Sequence, residues 1–217
     1  TDSKSPETNR AVPVLDKAIQ VSLFTFAAFS LFSISVTQIS FTIGALSWLL
    51  KVHLTQTWKE LRGSLVGIAI LCFCLACVLA VITSVDLEGS VKHLKKLLQF
   101  IIFFWVANTV QNEKQRDLLV GLVIVAGVAA ALNGLYPFLN QGFYSALRLD
   151  GTMSKPSTFS GVLMLVGLAA LGRFLFHKPK EYWALGSLGI IGLCLLLSLT
   201  RQAWLGFFVG TIFLLFF

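Results

Sequence analysis

One arginine stands alone in the last apolar stretch of the chain. From Tyr182 to Phe217, which includes "LLLSLTRQAWLGFFVG", Arg201 is the only charged residue. An arginine at the middle of a bilayer costs roughly 2.5 to 3.5 kcal/mol on insertion scales, so it is usually kept where something uses it. The guanidinium is a planar fork of donors that matches phosphate, and each such contact is strong where water is scarce. Arg201 is therefore the candidate clamp for a lipid phosphate or a lipid-linked pyrophosphate. Its plainer use is snorkelling to the headgroups, with Trp204 anchoring at the same level. Thr200 and Gln202 flank it and can hydrogen-bond backbone groups freed by a turn, which makes Gln202 a possible further contact.

Two more clusters carry candidate anion chemistry. In "VKHLKKLLQF", a helical register puts Val91, Leu94 and Leu98 on one face and Lys92, Lys95 and Gln99 away from it. Lys92, His93, Lys95 and Lys96 would add positive potential to the pocket of Arg201, or would simply attract anionic headgroups. His93 could titrate near neutral pH, but it has no visible partner for work as a base. In "RLDGTMSKPSTFSGVLML", Asp150-Gly151 and Lys155-Pro156 mark turns, and Ser157 or Thr158 can cap the helix that follows. Arg148, Lys155 and that helix N-terminus together make either an anion site or an ordinary connecting loop.

Other chemistries find little support. No Ser-His-Asp set, glycine-rich phosphate loop or pair of external carboxylates occurs; Asp86, Glu88 and Asp150 are the only acids near these clusters. Cys72, Cys74, Cys77 and Cys194 all lie in apolar runs with no neighbouring histidine or acid, so they read as small packing residues and no metal site is expected. The net charge of +7 fits basic loops beside membrane helices, and no basic strip interleaves with exposed aromatics, so no nucleic-acid partner is expected.

The elements that must position these residues are membrane helices. Hydrophobic residues make up 56% of the 217, charged residues 12%, and mean hydropathy is +0.83. A soluble domain would carry roughly 25% charged residues. Long apolar runs without a period-2 alternation point to an all-α polytopic bundle rather than a membrane barrel. About eight spans are expected: two between Lys17 and Lys51 joined at "SVTQIS", then Gly63 to Val85, Leu97 to Val110, Leu118 to about Phe138, about Thr158 to Phe176, Trp183 to Leu199, and Ala203 to the end. Residues 1–17, polar and unlike a signal peptide, read as a cytoplasmic tail, and 18–217 as one transmembrane domain that continues beyond this chain.

Orientation follows from the basic loops. With Lys4, Arg10 and Lys17 in the cytoplasm, Lys51, Lys59, Arg62, Lys114, Arg116, Arg173, Lys178 and Lys180 also fall inside. The opposite side receives "VKHLKK", the loop with Arg148 and Lys155, and Arg201. The hairpin "SLTRQAW" has neither Gly nor Pro and leaves a residue or two to turn, which places Arg201 at or just below the outer interface.

The order of "R.DGTM..P...SGVLML" opening one helix and "LSLTRQAWLGFFVG" two helices later resembles the O-antigen ligase and polymerase superfamily of bacterial envelope glycosyltransferases. "SVDLEGSVKHLKKLLQFIIFFWVANTV" resembles that family's third-to-fourth-helix connection, so the likeness covers most of the chain. Arg201 matches the arginine of the family's "(S/T)R" motif, and Arg148 with Gly151 matches the arginine and glycine before the sixth helix. Lys155 stands where the family often has Asn or His. The resemblance implies the N-terminal portion of a metal-independent, inverting C-type glycosyltransferase in the bacterial inner membrane, with no cofactor, inactive without the later helices and their periplasmic loop. Such an enzyme moves a glycan from undecaprenyl pyrophosphate to a lipid A core sugar on the periplasmic face. Arg201 would be its catalytic residue at the departing pyrophosphate, while Arg148, Lys92, Lys95, Lys96 and Lys155 would bind the lipid-linked substrate. A polymerase of carrier-linked repeats, or a protein O-oligosaccharyltransferase, would show the same half. A transporter or lipid-binding scaffold would show inverted repeats or broken helices with midplane polar residues, and none is clear.

Overall fold

A computed structural model describes residues 6–55, 65–84, 97, 100–110, 112–140, 156–177 and 181–216, with the side chains of 6–11 and 137–140 left out. The described residues form eight α-helices and no strand. They are α1 (Pro6–Phe29), α2 (Ile34–Thr55), α3 (Leu65–Ile82), α4 (Phe100–Thr109), α5 (Glu113–Asn140), α6 (Pro156–Phe176), α7 (Tyr182–Leu197) and α8 (Arg201–Phe216). Four segments are long and apolar enough to cross a membrane: Val12–Phe29, Leu65–Ile82, Glu113–Tyr136 and Pro156–Phe176. The helices α4, α7 and α8 are apolar but shorter. The protein is a membrane protein built as a helical bundle. Its surface agrees, since Leu65, Ile82, Leu205 and Phe216 stand 85%, 67%, 67% and 87% exposed, as lipid-facing side chains do.

The eight expected spans correspond to the eight helices, with two boundary corrections. The first turn falls at Ser30–Ser33, and "SVTQIS" lies inside α2. Hydroxyl chemistry decides this: Ser30 Oγ donates to the Ala27 carbonyl at 3.1 Å, Ser33 Oγ accepts from the Val36 amide at 3.4 Å, and Thr37 Oγ1 donates to the Ser33 carbonyl at 2.7 Å. A serine at the helix start supplies the acceptor that the first amides need, so β-branched Ile34, Val36 and Thr37 follow as helix. The second correction is at α6, which starts at Pro156 ahead of the expected caps Ser157 and Thr158. Proline suits the first helical position because its missing N–H has no partner there anyway.

The chain divides into two compact units. The first comprises Thr1–Phe26 and Gln38–Glu113. Within it Trp105 of α4 is fully buried, its ring edge-on to Phe26 at 5.9 Å and tilted to Phe41 at 6.3 Å, and it lies against Gly44 of α2 so closely that any side chain there would collide with the indole. Lys51 pairs with Asp16 at 2.6 Å, and Phe73 of α3 meets Phe100 of α4 edge-on at 5.6 Å. No residue of α3 is buried.

The second unit comprises Ala27–Thr37 and Lys114–Phe217, and holds the larger core. On α6 the buried residues Phe159, Leu163, Val166 and Ala170 recur every three to four positions, the stripe of a helix packed along one side. They meet Ile124, Ala126, Ala130 and Ala131 of α5 and Ile191, Cys194 and Leu195 of α7. The helix α8 packs on α6 through Gly206 and Gly210, whose missing side chains leave room for Met164 and Leu168. Close approach through glycines four apart is how helices associate where lipid is as apolar as leucine.

Candidate functional site

The turn that presents Arg201 lies within the second unit. Helix α7 ends at Leu197, Ser198 to Thr200 make the connection, and Arg201 is the first residue of α8. Without glycine, the reversal falls on Leu199, whose φ of 51° is the left-handed conformation that L-residues usually avoid. Its neighbours fix it there. The Ser198 amide donates to the Cys194 carbonyl at 3.0 Å and the Leu199 amide to that of Leu196 at 3.3 Å. The Leu195 carbonyl accepts both Ser198 Oγ at 2.7 Å and Trp204 Nε1 at 2.8 Å. The Thr200 carbonyl accepts the Ala203 and Trp204 amides at 3.0 and 3.2 Å, which starts α8.

The turn is also tied to the start of α6. Thr200 Oγ1 lies 2.9 Å from Ser160 Oγ, and Ser160 Oγ donates back to the Pro156 carbonyl. Ser160 and Ser198 are fully buried and Thr200 is 6% exposed. The N-terminal ends of α6 and α8 therefore share one end of this unit. Each contributes partial positive charge from amides that have no partner in the preceding turn.

Arg201 and Gln202 are exposed at that end, and Ala203 is buried. Among the described residues no acidic side chain pairs with Arg201. A cation in the first turn of a helix opposes the dipole by about 0.3 to 1 kcal/mol, so this placement concentrates positive potential instead of relieving it. Trp204 has its indole N–H taken up by the Leu195 carbonyl, so it fastens the turn rather than offering that donor to headgroups. The expected hydrogen-bonding role of Thr200 is present; Gln202 lies beside Arg201. Arg148, Lys155, Lys92, His93, Lys95 and Lys96 lie outside the described residues.

A second polar cluster stands at the other end of α6, and the sequence reading treated its arginine only as a loop cation. Arg173 donates through Nε to Glu181 Oε2 at 2.6 Å, through Nη2 to Oε1 at 3.1 Å, and through Nη1 to the Asp117 carbonyl at 2.6 Å. Trp183 Nε1 donates to the same carboxylate at 2.6 Å, and the Arg173 guanidinium lies 5.5 Å from the Trp183 ring centroid. His177 Nε2 is 3.3 Å from Glu181 Oε1. The Arg173 hydrogen bond holds the Glu181 carboxyl below the usual carboxylate range; burial opposes this and Trp183 reinforces it. A cleft of about 350 Å3 opens beside the cluster, lined by Arg116, Asp117, Arg173 and His177 over Val120 and Phe176. Arg173 and Arg201 thus differ in kind. Arg173 is consumed in holding α5, α6 and α7 together, whereas Arg201 is exposed and has no acidic partner among the described residues.

Two members of the Arg201 site were not singled out from sequence, Ser160 and Ser198. Ser160 has one local signal, a hydroxyl four residues after a helix-starting proline in an otherwise apolar stripe; Ser198 has none, and the pairing of Ser160 with Thr200 forty residues on follows no local spacing. Comparison with models of protein families, with curated proteins and with solved structures gives no match for this chain.

Proposed function

We propose that these helices belong to an O-antigen ligase, a glycosyltransferase of the bacterial inner membrane. It would take a glycan from undecaprenyl pyrophosphate and pass it to a lipid A core sugar. The observation that carries this reading is the exposed Arg201, free of any acidic partner among the described residues and set where the N-termini of α6 and α8 come together. The order of short motifs along the chain supports it independently. In the reaction the acceptor hydroxyl attacks the anomeric carbon, the bond from that carbon to the pyrophosphate oxygen breaks, and negative charge grows on the departing pyrophosphate. A preorganised guanidinium fork aimed at that charge stabilises the transition state more than the ground state. The basic loops support a cytoplasmic N-terminus and a periplasmic Arg201. Arg148, Lys155 and the "VKHLKK" segment would complete the binding of the carrier-linked substrate.

The test is a strain lacking the native gene and carrying the Arg201→Lys protein, with lipopolysaccharide resolved on gels. Loss of the long glycan ladder, with carrier-linked polymer accumulating and the protein inserted at normal level, is the expected result. A ladder collapsed to single repeat units would move the assignment to a polymerase, and an unchanged ladder would leave Arg201 a headgroup anchor.

A further inference from the structure

We infer that Ser160 and Thr200 are positioning residues for Arg201, acting as a directed hydroxyl relay that holds the α7–α8 turn on the first turn of α6; this rests on the reading of Arg201 above. The direction follows from counting protons. Ser160 has one hydroxyl proton and gives it to the Pro156 carbonyl, so at 2.9 Å its oxygen accepts from Thr200 Oγ1. The Ser198 carbonyl also lies near the Thr200 hydroxyl, at the longer distance of 3.3 Å. The chain of donors thus runs from Thr200 through Ser160 to Pro156. It joins the residue before Arg201 to the start of a different helix.

Both hydroxyls are buried, so water does not compete for the link. The turn needs it. Leu199 reverses the chain in a conformation with little intrinsic preference, and the Ser198 and Leu199 amides, Ser198 Oγ and Trp204 Nε1 all donate to carbonyls of α7. The Thr200 to Ser160 bond crosses from the turn to α6 and registers the residue before Arg201 against that helix. The steric contacts of Gly206 and Gly210 lie more than one turn further along α8, while the buried Ala203 and the hydroxyl pair hold its first turn.

Each end of the relay can be cut with the other hydroxyl still holding an acceptor. In Thr200→Val the Ser160 hydroxyl keeps its Pro156 carbonyl; in Ser160→Ala the Thr200 hydroxyl falls back on the Ser198 carbonyl. Both variants should therefore insert and fold, with the arginine free to drift. Thr200→Ser keeps the donor.

The experiment measures glycan transfer in membrane vesicles of the full protein, with undecaprenyl-pyrophosphate-linked glycan as donor and lipid A core as acceptor, kcat and KM separately. Thr200→Val and Ser160→Ala should each lower kcat about tenfold or more, as a small misplacement of a charge-stabilising group does, with insertion and the acceptor KM unchanged. Thr200→Ser should restore wild-type kcat, and Thr200→Val added to Arg201→Lys should cost nothing further. Wild-type kcat in Thr200→Val and Ser160→Ala, with Arg201→Lys inactive, would overturn the positioning role and leave the reading of Arg201 standing. Full activity in Arg201→Lys and Arg201→Ala would overturn both.

Discussion

At the scale of single residues, Arg173 and Arg201 stand in opposite surroundings, the first tied to its neighbours and the second exposed. Arg173 donates to a carboxylate and a carbonyl and lies over an aromatic ring; among the described residues Arg201 has no acidic partner. That contrast was half legible in the sequence. An arginine isolated in an apolar run announces itself, but the Arg173 to Glu181 pairing joins residues eight apart across the end of α6 and follows no helical spacing. The Arg173 contact keeps Glu181 ionised in the folded state at a pH where the unfolded carboxyl, near 4.3, would begin to take a proton. A depressed carboxyl contributes stability that is complete above its unfolded value and disappears as pH falls through the lower folded value. Melting of the purified protein should therefore be level in this respect from pH 8 to about 5 and fall below about pH 4. Glu181→Gln should lower Tm at neutral pH and flatten that acid limb; an acid limb of unchanged depth would remove Glu181 from the account. Arg173→Lys should also lower Tm at neutral pH, because an ammonium cannot reproduce the fork that grips both carboxylate oxygens.

At the scale of elements, hydrophobic length placed the helices and polar hydroxyls placed their ends. The span from Leu118 was visible as an apolar run, and α5 covers it. The first turn was misplaced because "SVTQIS" is the more polar stretch, while the Ser30 and Ser33 hydroxyls that make the turn are common inside membrane helices too. The α7–α8 turn was legible from shortness alone, though not its left-handed Leu199. Leu199 is 56% exposed, so little packing is lost on truncation. Leu199→Gly removes a left-handed cost of about 1 to 2 kcal/mol against a larger loss of chain entropy, and should raise stability by up to about 1 kcal/mol in detergent melts. Where α8 meets α6, a side chain at Gly206 would overlap the Met164 sulfur. Gly206→Leu should cost about 1 to 3 kcal/mol and shift the melt downward, whereas the same change at Gly192, which has open space around it, should leave the melt nearly unmoved.

At the scale of the whole molecule, composition alone reached the class of protein, because so few charges in so many apolar residues leave no alternative to a bilayer. The sidedness of that bundle is a matter of where its basic residues gather, and it makes a direct prediction. In a cysteine-free background, Gln202→Cys should react with a membrane-impermeant maleimide in intact cells, and Lys114→Cys only after permeabilisation; the reverse pattern would turn the molecule over. The substrate depends on this orientation, since a phosphate clamp on the outer face meets lipid carriers and one on the inner face meets nucleotides. Long-range pairs such as Ser160 with Thr200 were beyond a single sequence because nothing local marks them. The most direct test is equilibrium binding of undecaprenyl pyrophosphate to the purified protein in nanodiscs, wild type against Arg201→Lys and Arg201→Ala. If Arg201 grips the pyrophosphate, both variants bind at least tenfold more weakly, or about 1.4 kcal/mol, and the loss shrinks as salt is added. Equal affinity in all three proteins would contradict the assignment of Arg201 to the pyrophosphate.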